Sequence, residues 1–488
     1  MPQYILLPRE GLRATETASV ETFSRIENAK TETRGPDFAE IEGVPVSVLD
    51  SIDAGGPKLV EIDEDAAGRL RDNRDYRLVP LVTYERATQD LRIASLAPRP
   101  LSGTQQIFNV ADQSGNGIAG VDVIGLSEDA NAVGDKGTTD SRGDVALNFG
   151  AGVSTLESVY VIPKRDQYWG RFVSNVPLSR QPIGFRLDPI DLSHIDGVRH
   201  FYAGSTFDES TGVKVGVIDD GVYQHQSLNL TGGANTVLGE SRDDYFNCDS
   251  VGHGTHVAGV IGAYGNPPAG VRGVAPNVEL RSYRVFGASG GDASNFAIVK
   301  ALVIAQLEKC DIVNLSFRGT EEDEVVRDAV IDAVNHGVLV IASAGNDGRG
   351  AVGYPARYPN AIAVSAAGRE ELLLPGSIQR AEVDSPRGND SDDFVAKFSN
   401  VGYEIEMTGP GVGVLSTLPD QSHGPMNGTS VSAPAVSGFA ACLLSQNRDV
   451  FDLARNRTRT DALSSLLRSS CSKFGFGTTY EGLGQPRC

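Results

Sequence analysis

The sequence is sparing with several residue types. It has 3 methionines, 1 tryptophan, 5 cysteines and 7 histidines in 488 residues. The cysteines (Cys248, Cys310, Cys442, Cys471, Cys488) are odd in number and lack metal-type spacing. A disulfide scaffold is therefore not expected, and reduced thiols in a cytoplasm are. If the chain were exported, Cys471 and Cys488 would be the pair to bridge. Positive charge is also short: 43 Lys and Arg against 63 Asp and Glu leave a net charge of −20. That balance argues against nucleic acid or an anionic membrane as partner. No apolar run approaches the roughly 18 residues that a membrane span needs. The N-terminal MPQYILLPREGLRATETA has no basic segment followed by a long apolar one, so no secretory leader is expected.

What is present suits a globular chain of about three domains at roughly 150 residues each. Hydrophobic residues make up 40%, enough for real cores. Residues 1–92 read as a small α/β module, with strands in YILLP, VPVSVL, KLVEID and YRLVPLVTYE and a helix in DEDAAGRLRDN. The polar, acidic stretch 9–43 within it is expected to be partly disordered. Residues 104–190 carry turn signals every ten or so residues between alternating runs, the pattern of an antiparallel β-sandwich. Trp169 is expected in the core of that sandwich.

From residue 195 to 488 the pattern becomes α/β. KVGVID, DIVNLSF, VLVIASAGN and AIAVSAA are near-continuous apolar runs, as in parallel strands buried on both faces. Helical stretches separate them, so a parallel sheet with right-handed crossovers is expected. Ligands of such sheets bind beyond the carboxyl ends of the strands. Those ends carry Asp219, Ser316 and Asn346. A polar insertion at 369–393 reads as a surface loop.

Four short stretches carry chemistry. Asn427-Gly428-Thr429-Ser430-Val431-Ser432-Ala433-Pro434 precedes an apolar helix, so Ser430 sits where a loop enters a helix. The helix end offers unpaired N–H groups and partial positive charge, which suit a nucleophile whose attack creates an oxyanion. Pro434 fits a first helical turn. By itself the stretch could equally be a helix cap. Asp219 ends one strand before Asp220-Gly221, where it could orient an imidazole or simply form a turn. His253 and His256 lie in HGTHVAG; no further ligand accompanies them, so a metal site is not expected and His256 reads as packing inside its helix. Asn346 closes SAGN.

Asp219, His253 and Ser430 occur in the order of the subtilisin type of triad. With IDDG, HGTHVAG, SAGN and NGTSVSAP in sequence, the chain resembles the subtilisin-like serine proteases over residues 195–485. The resemblance implies an endopeptidase acting on protein or peptide. Ser430 would attack the scissile carbonyl, His253 would move the proton and Asp219 would hold the imidazole. The Asn346 amide and the Ser430 N–H would bind the oxyanion. Ser316, Phe317, Arg318 and Gly319 would pair with an extended substrate and form one wall of the primary pocket. Ala344, Gly345 and Gly353 would form its other wall and an open floor, with Asp347 at its mouth. Arg318 stands where the family usually has glycine. It could narrow the pocket, offer a cation to an acidic substrate residue, pair with Asp347, or turn out to solvent. Asp220 matches the second acid of kexin-like members, which helps read basic residues.

The calcium position beside the first catalytic strand has Ser227 where the family has an acid, and the loop Tyr264-Gly265-Asn266-Pro267-Pro268 is unlike the ligand loop. That calcium, and any other cofactor, is expected to be absent. Residues 1–92 resemble a subtilisin propeptide, with the tail YERATQDLRIASLAP expected across the active site as an intramolecular gate. The sandwich resembles carboxypeptidase-regulatory or transthyretin-like modules. The alternative is a binding or scaffolding protein on a protease fold, whose residues 1–190 recognise a regulatory partner.

Overall fold

The computed structural model describes residues 1–14, 23, 37–41, 44–71, 73, 75–87, 103–164, 166–202, 210–246, 251–288 and 290–487. Cys248, Cys488 and the tail beyond Ala87 as far as residue 102 lie outside this set, as does most of the acidic stretch after residue 14. Among the described residues no helix is long and apolar enough to cross a membrane.

The C-terminal half is built on an eight-stranded sheet. Its central strands Lys214–Asp219, Ile312–Leu315, Leu339–Ser343 and Ala361–Arg369 run parallel, and only Asp393–Val395 is antiparallel to its neighbour. The period of two sorts each strand between two cores. Val215, Val217, Leu339 and Ile341 face the helices His253–Gly262 and Thr429–Gln446. Ile218, Val313, Val340 and Ala342 face the helices Asn295–Leu307 and Glu324–Asn335. Cover on both faces is why these strands read as unbroken apolar runs.

Residues 103–186 form two sheets of three and four strands around a core of Phe108, Val123, Leu147, Leu156 and Val159. One strand departs from the antiparallel pattern expected here: Ile183–Arg186 runs parallel to Gly103–Ala111. Trp169 is not in that core. It is buried in the core between the eight-stranded sheet and its helices and stacks edge-on with His194, 5.2 Å between centroids. Its turn lies where the sandwich meets the sheet domain, so local patterning could not say to which side the ring crosses. The insertion at 369–393 is likewise not a free loop. It carries buried Leu373, Gln379 and Glu382, and it docks on the sandwich strand Arg171–Pro177 through Phe172 N–H to Gly376 O (2.9 Å) and Ile378 N–H to Gly170 O (3.0 Å).

The N-terminal module is an antiparallel sheet in the order Asp37–Ile41, Val44–Ser51, Lys58–Glu61, Gln3–Pro8, Tyr76–Pro80. Its first strand alternates between two duties. Tyr4 and Leu6 join the module's own core, whereas Ile5 and Leu7 pack with residues of the helices Asn295–Leu307 and Glu324–Asn335. Polar pairs border this contact: Arg77 to Glu324 (2.9 Å) and to Asp328, and Lys300 to Asp50 (2.6 Å). The run expected as one strand, YRLVPLVTYE, is broken at Leu81-Val82. Tyr76–Pro80 stays in the module, and Thr83–Arg86 leaves it to become the middle strand between Ala293–Ser294 and Phe317–Arg318. Asn295 holds the break, its Nδ2 donating to Pro80 O (3.2 Å) and its Oδ1 accepting from Val82 N–H (3.3 Å).

Ile5 is fully buried in this shared contact. Ile5→Ala is expected to lower the unfolding free energy by about 2–4 kcal/mol. Denaturant titration checks this, and an unchanged midpoint would contradict the docking.

Candidate active site

Three strand ends and two helix starts meet at one edge of the sheet. Asp219 is the last residue of Lys214–Asp219, and His253 is the first of the helix His253–Gly262. Gly252 before it has φ +65°, and a side chain there would strike Pro419. His253 Nδ1 lies 2.8 Å from Asp219 Oδ1, with both groups buried. Asp219 Oδ1 also accepts from Asp220 N–H at 2.8 Å, which fixes the carboxylate before the imidazole arrives. Burial pushes the His253 imidazole down, but the Asp219 and Asp220 carboxylates push it up, and the net is above the ordinary histidine value. Arg86 opposes the rise. His256 packs inside, as expected, its Nε2 donating to Val414 O at 3.0 Å.

Ser430 is the second residue of Thr429–Gln446. The helix starts earlier than the position of Pro434 suggested, so the proline sits in its second turn, not its first. A proline there leaves the Ser430 carbonyl without its helical donor. Ser316 Oγ donates to it instead at 3.0 Å. Asn314 Nδ2 donates to that same Ser316 Oγ (2.8 Å), and Ser437 Oγ donates to Asn314 Oδ1 (3.0 Å). This buried relay ties the first helical turn to the strand Ile312–Leu315.

Asn346 follows the strand Leu339–Ser343. Its Oδ1 accepts from both the N–H and the hydroxyl of Thr429, each at 2.9 Å. Its Nδ2 is thereby aimed outward, and it donates to the Ala87 carbonyl at 2.6 Å. A Cβ on Gly428 would lie 2.7 Å from Ser430 Oγ, 3.4 Å from Ala87 O and 3.5 Å from Asn346 Nδ2. Hydroxyl, carbonyl and amide therefore converge on one spot, and only glycine leaves it open.

The expected binding residues come together around the same strand. Phe317 pairs with Arg86 and Arg318 with Glu85, and Ser316 O accepts from Ala87 N–H at 3.2 Å. Gly319 lies against the Tyr84 ring. Ala344 and Gly353 are joined by a 2.9 Å backbone bond. The primary pocket is not open. The Arg318 stem lies against Gly345 and Gly353, and its guanidinium pairs with Asp347 at 2.9 Å and Glu85 at 3.2 Å. Its side chain is 11% exposed, which removes the solvent-facing alternative. Asn400 Nδ2 holds Asp347 Oδ2 at 2.9 Å. Asp220 is fully buried; one oxygen accepts from Gly254 N–H at 2.7 Å and the other lies 3.9 Å from the Arg86 guanidinium. Asn400, Phe286, Asp323 and Tyr358 also serve this edge and lie outside the motifs read from the sequence.

Because Asp220 is one of the charges that raise His253, Asp220→Asn in the full-length chain is expected to lower the imidazole pKa. Ring proton or nitrogen shifts in a pH titration read this directly, and an unmoved titration would rule out that coupling.

The subtilase family model matches residues 210–477. Subtilisin DY of Bacillus licheniformis is 39% identical over 243 residues, which are 49% of this chain and 78% of that protein. Subtilisin Savinase of Lederbergia lenta is 38% identical over 237 residues, 49% of this chain and 78% of that protein. An alkaline protease of Alkalihalobacillus alcalophilus is 39% identical over 237 residues; the match spans 49% of this chain and 55% of that protein. On the matched motifs, the sheet and these relatives, the chain belongs to the subtilase family and is a subtilisin-like serine endopeptidase acting on protein or peptide substrates.

Proposed function

We propose that Ser430, His253 and Asp219 form the catalytic triad and that residues 1–87 gate it from within the same chain. The observation that carries this reading is the Asn346 Nδ2 to Ala87 O hydrogen bond of 2.6 Å at the end of a strand paired in the cleft. Ser430 Oγ forms a bond to the Ala87 carbonyl carbon, and its proton passes to His253 Nε2. The developing oxyanion stays on Asn346 Nδ2 and the Ser430 N–H at the helix start. Collapse breaks the Ala87–Thr88 bond as His253 hands the proton to the Thr88 nitrogen. Water then attacks the acyl carbon, again losing a proton to His253, and Ser430 is restored. Losing the Asn346 donor is expected to lower the rate by about 10²–10³, a magnitude known from this same family.

Cleavage at Ala87–Thr88 separates residues 1–87 from the rest. The sandwich remains covalently continuous with the sheet domain and docked on it through Gly376 and Ile378. The first unit is held afterwards by its docked face and by the paired strand Thr83–Arg86, so release is a second event. Until then the product strand keeps other chains out.

We propose also that the calcium position beside the first catalytic strand is not a cation site. Its oxygens are engaged elsewhere: Gln224 O accepts from Gln421 Nε2 (3.1 Å), Gln226 O from Tyr264 Oη (2.5 Å), and Ser227 O from Tyr264 N–H (2.9 Å). The only side-chain oxygen in the place of the usual acid is a hydroxyl, a poor donor for a hard cation.

Intact mass tests the gate. Wild type is expected to yield a fragment ending at Ala87 and a remainder beginning at Thr88, and Ser430→Ala to stay whole. A wild-type chain that cleaves peptides yet stays full length would refute the gate. For the calcium reading, a chelator is expected to leave the thermal midpoint unchanged, and a fall restored by added calcium would contradict it.

A further inference from the structure

The strand in the cleft also describes what the cleft reads. With the Ala87 carbonyl accepting from Asn346 Nδ2, Arg86, Glu85 and Tyr84 are the second, third and fourth residues before the scissile bond. Each meets a different chemistry.

Ala87 is buried beside a primary pocket crossed by the Arg318 stem, which the Asp347 pair and Asn400 hold in place. A larger side chain would have to break that ion pair. Arg86 lies with its guanidinium carbon 4.9 Å over the Phe286 ring and a nitrogen 3.9 Å from Asp220 Oδ2. A buried carboxylate and an aromatic face together favour a cation and penalise an acid. Glu85 is 61% exposed, so its pair with Arg318 contributes little. Tyr84 is 1% exposed, edge-on to Phe317 at 5.8 Å. Its ring covers Gly319, where a Cβ would come within 2.8 Å of it. Its pocket ends at Tyr358 and Asp323; Tyr358 Oη donates to Asp323 O (2.7 Å), and Asn295 Nδ2 donates to Asp323 Oδ2 (2.8 Å). These bonds hold the pocket's polar end before any ring enters it.

We propose that this enzyme selects extended segments with an aromatic residue four residues before the cut, a basic residue two before it and an alanine-sized residue at it. The aromatic supplies the largest buried area and therefore anchors the segment. The basic residue supplies selectivity against neutral and acidic segments. The arginine-filled primary pocket sets the size limit. This rests on the triad reading above, since the register is counted from the carbonyl at Asn346.

The test uses processed wild-type enzyme with internally quenched peptides built on Tyr-Glu-Arg-Ala-Thr. Single changes are made at each position, and labelling of Ser430 by a fluorophosphonate runs in parallel. Tyr to Ala at the fourth position is expected to lower kcat/KM by about 10²-fold, in line with burial of a large ring. Arg to Gln at the second position is expected to lower it by about fivefold and Arg to Glu by more, whereas Lys is expected to retain most of it. Ala to Phe at the cut is expected to abolish cleavage, and Arg318→Gly to restore it. In Asp220→Asn the ratio of Arg to Gln substrates is expected to fall towards one. Unlabelled enzyme that ranks these peptides equally, or prefers Phe or Leu at the cut, while its parallel sample labels at Ser430, overturns the proposal and leaves the triad reading standing. Absence of any Ser430 label overturns both.

Discussion

The site depends on how the Asn346 amide is held. Thr429 occupies its oxygen twice, at 2.9 Å from the N–H and from the hydroxyl, so the nitrogen is the end that faces the cleft. Thr429 can do this because it opens the helix, where its N–H has no intrahelical partner. Its hydroxyl accepts in turn from Gly345 N–H at 3.0 Å, and Gly345 has φ +108°, a conformation open to glycine. One turn of helix and one strand end are thereby locked together, with Ser430 the next residue along. The proposed oxyanion donor is thereby fixed before any substrate carbonyl arrives, which is the condition under which such a donor is most effective.

The proposed gate would rest on tethering and burial together. A four-residue strand alone would hold weakly. Here it is delivered by a module that buries Ile5, Leu7, Leu59 and Val79 in the same cluster as the two helices beneath it. Tethering converts docking into an intramolecular event at high effective concentration. The ion pairs at its border, Arg77 with Asp328 and Lys300 with Asp50, are largely buried and add to the attachment that the apolar face provides.

Much of the catalytic edge was legible because each part is a local string with a mechanical reason. IDDG ends a buried strand, HGTHVAG and NGTSVSAP begin helices of small residues, and SAGN ends another strand. Such strings report backbone geometry directly. What escaped depends on distant partners. Trp169 was assigned to the sandwich because its neighbours in sequence belong there, but its ring crosses to the other core. The helix start at Thr429 moved Pro434 inward, and the compensating Ser316 hydroxyl lies 114 residues away. The break at Leu81-Val82 has one local signal, Pro80, which has no N–H for a ladder, and the side chain that holds it, Asn295, lies 213 residues from Val82. Arg318 left several orientations open until Asp347, Gly345 and Gly353 were seen to surround it.

The central claim is that residues 83–87 sit as a substrate strand with the Ala87 carbonyl on Asn346. Amide hydrogen exchange of this segment in full-length Ser430→Ala measures it most directly. The account predicts slow exchange at Ala87 and along Thr83–Arg86, comparable to the sheet it joins. Exchange at the rate of an unpaired chain, with the helices Asn295–Leu307 and Glu324–Asn335 still protected, would contradict it.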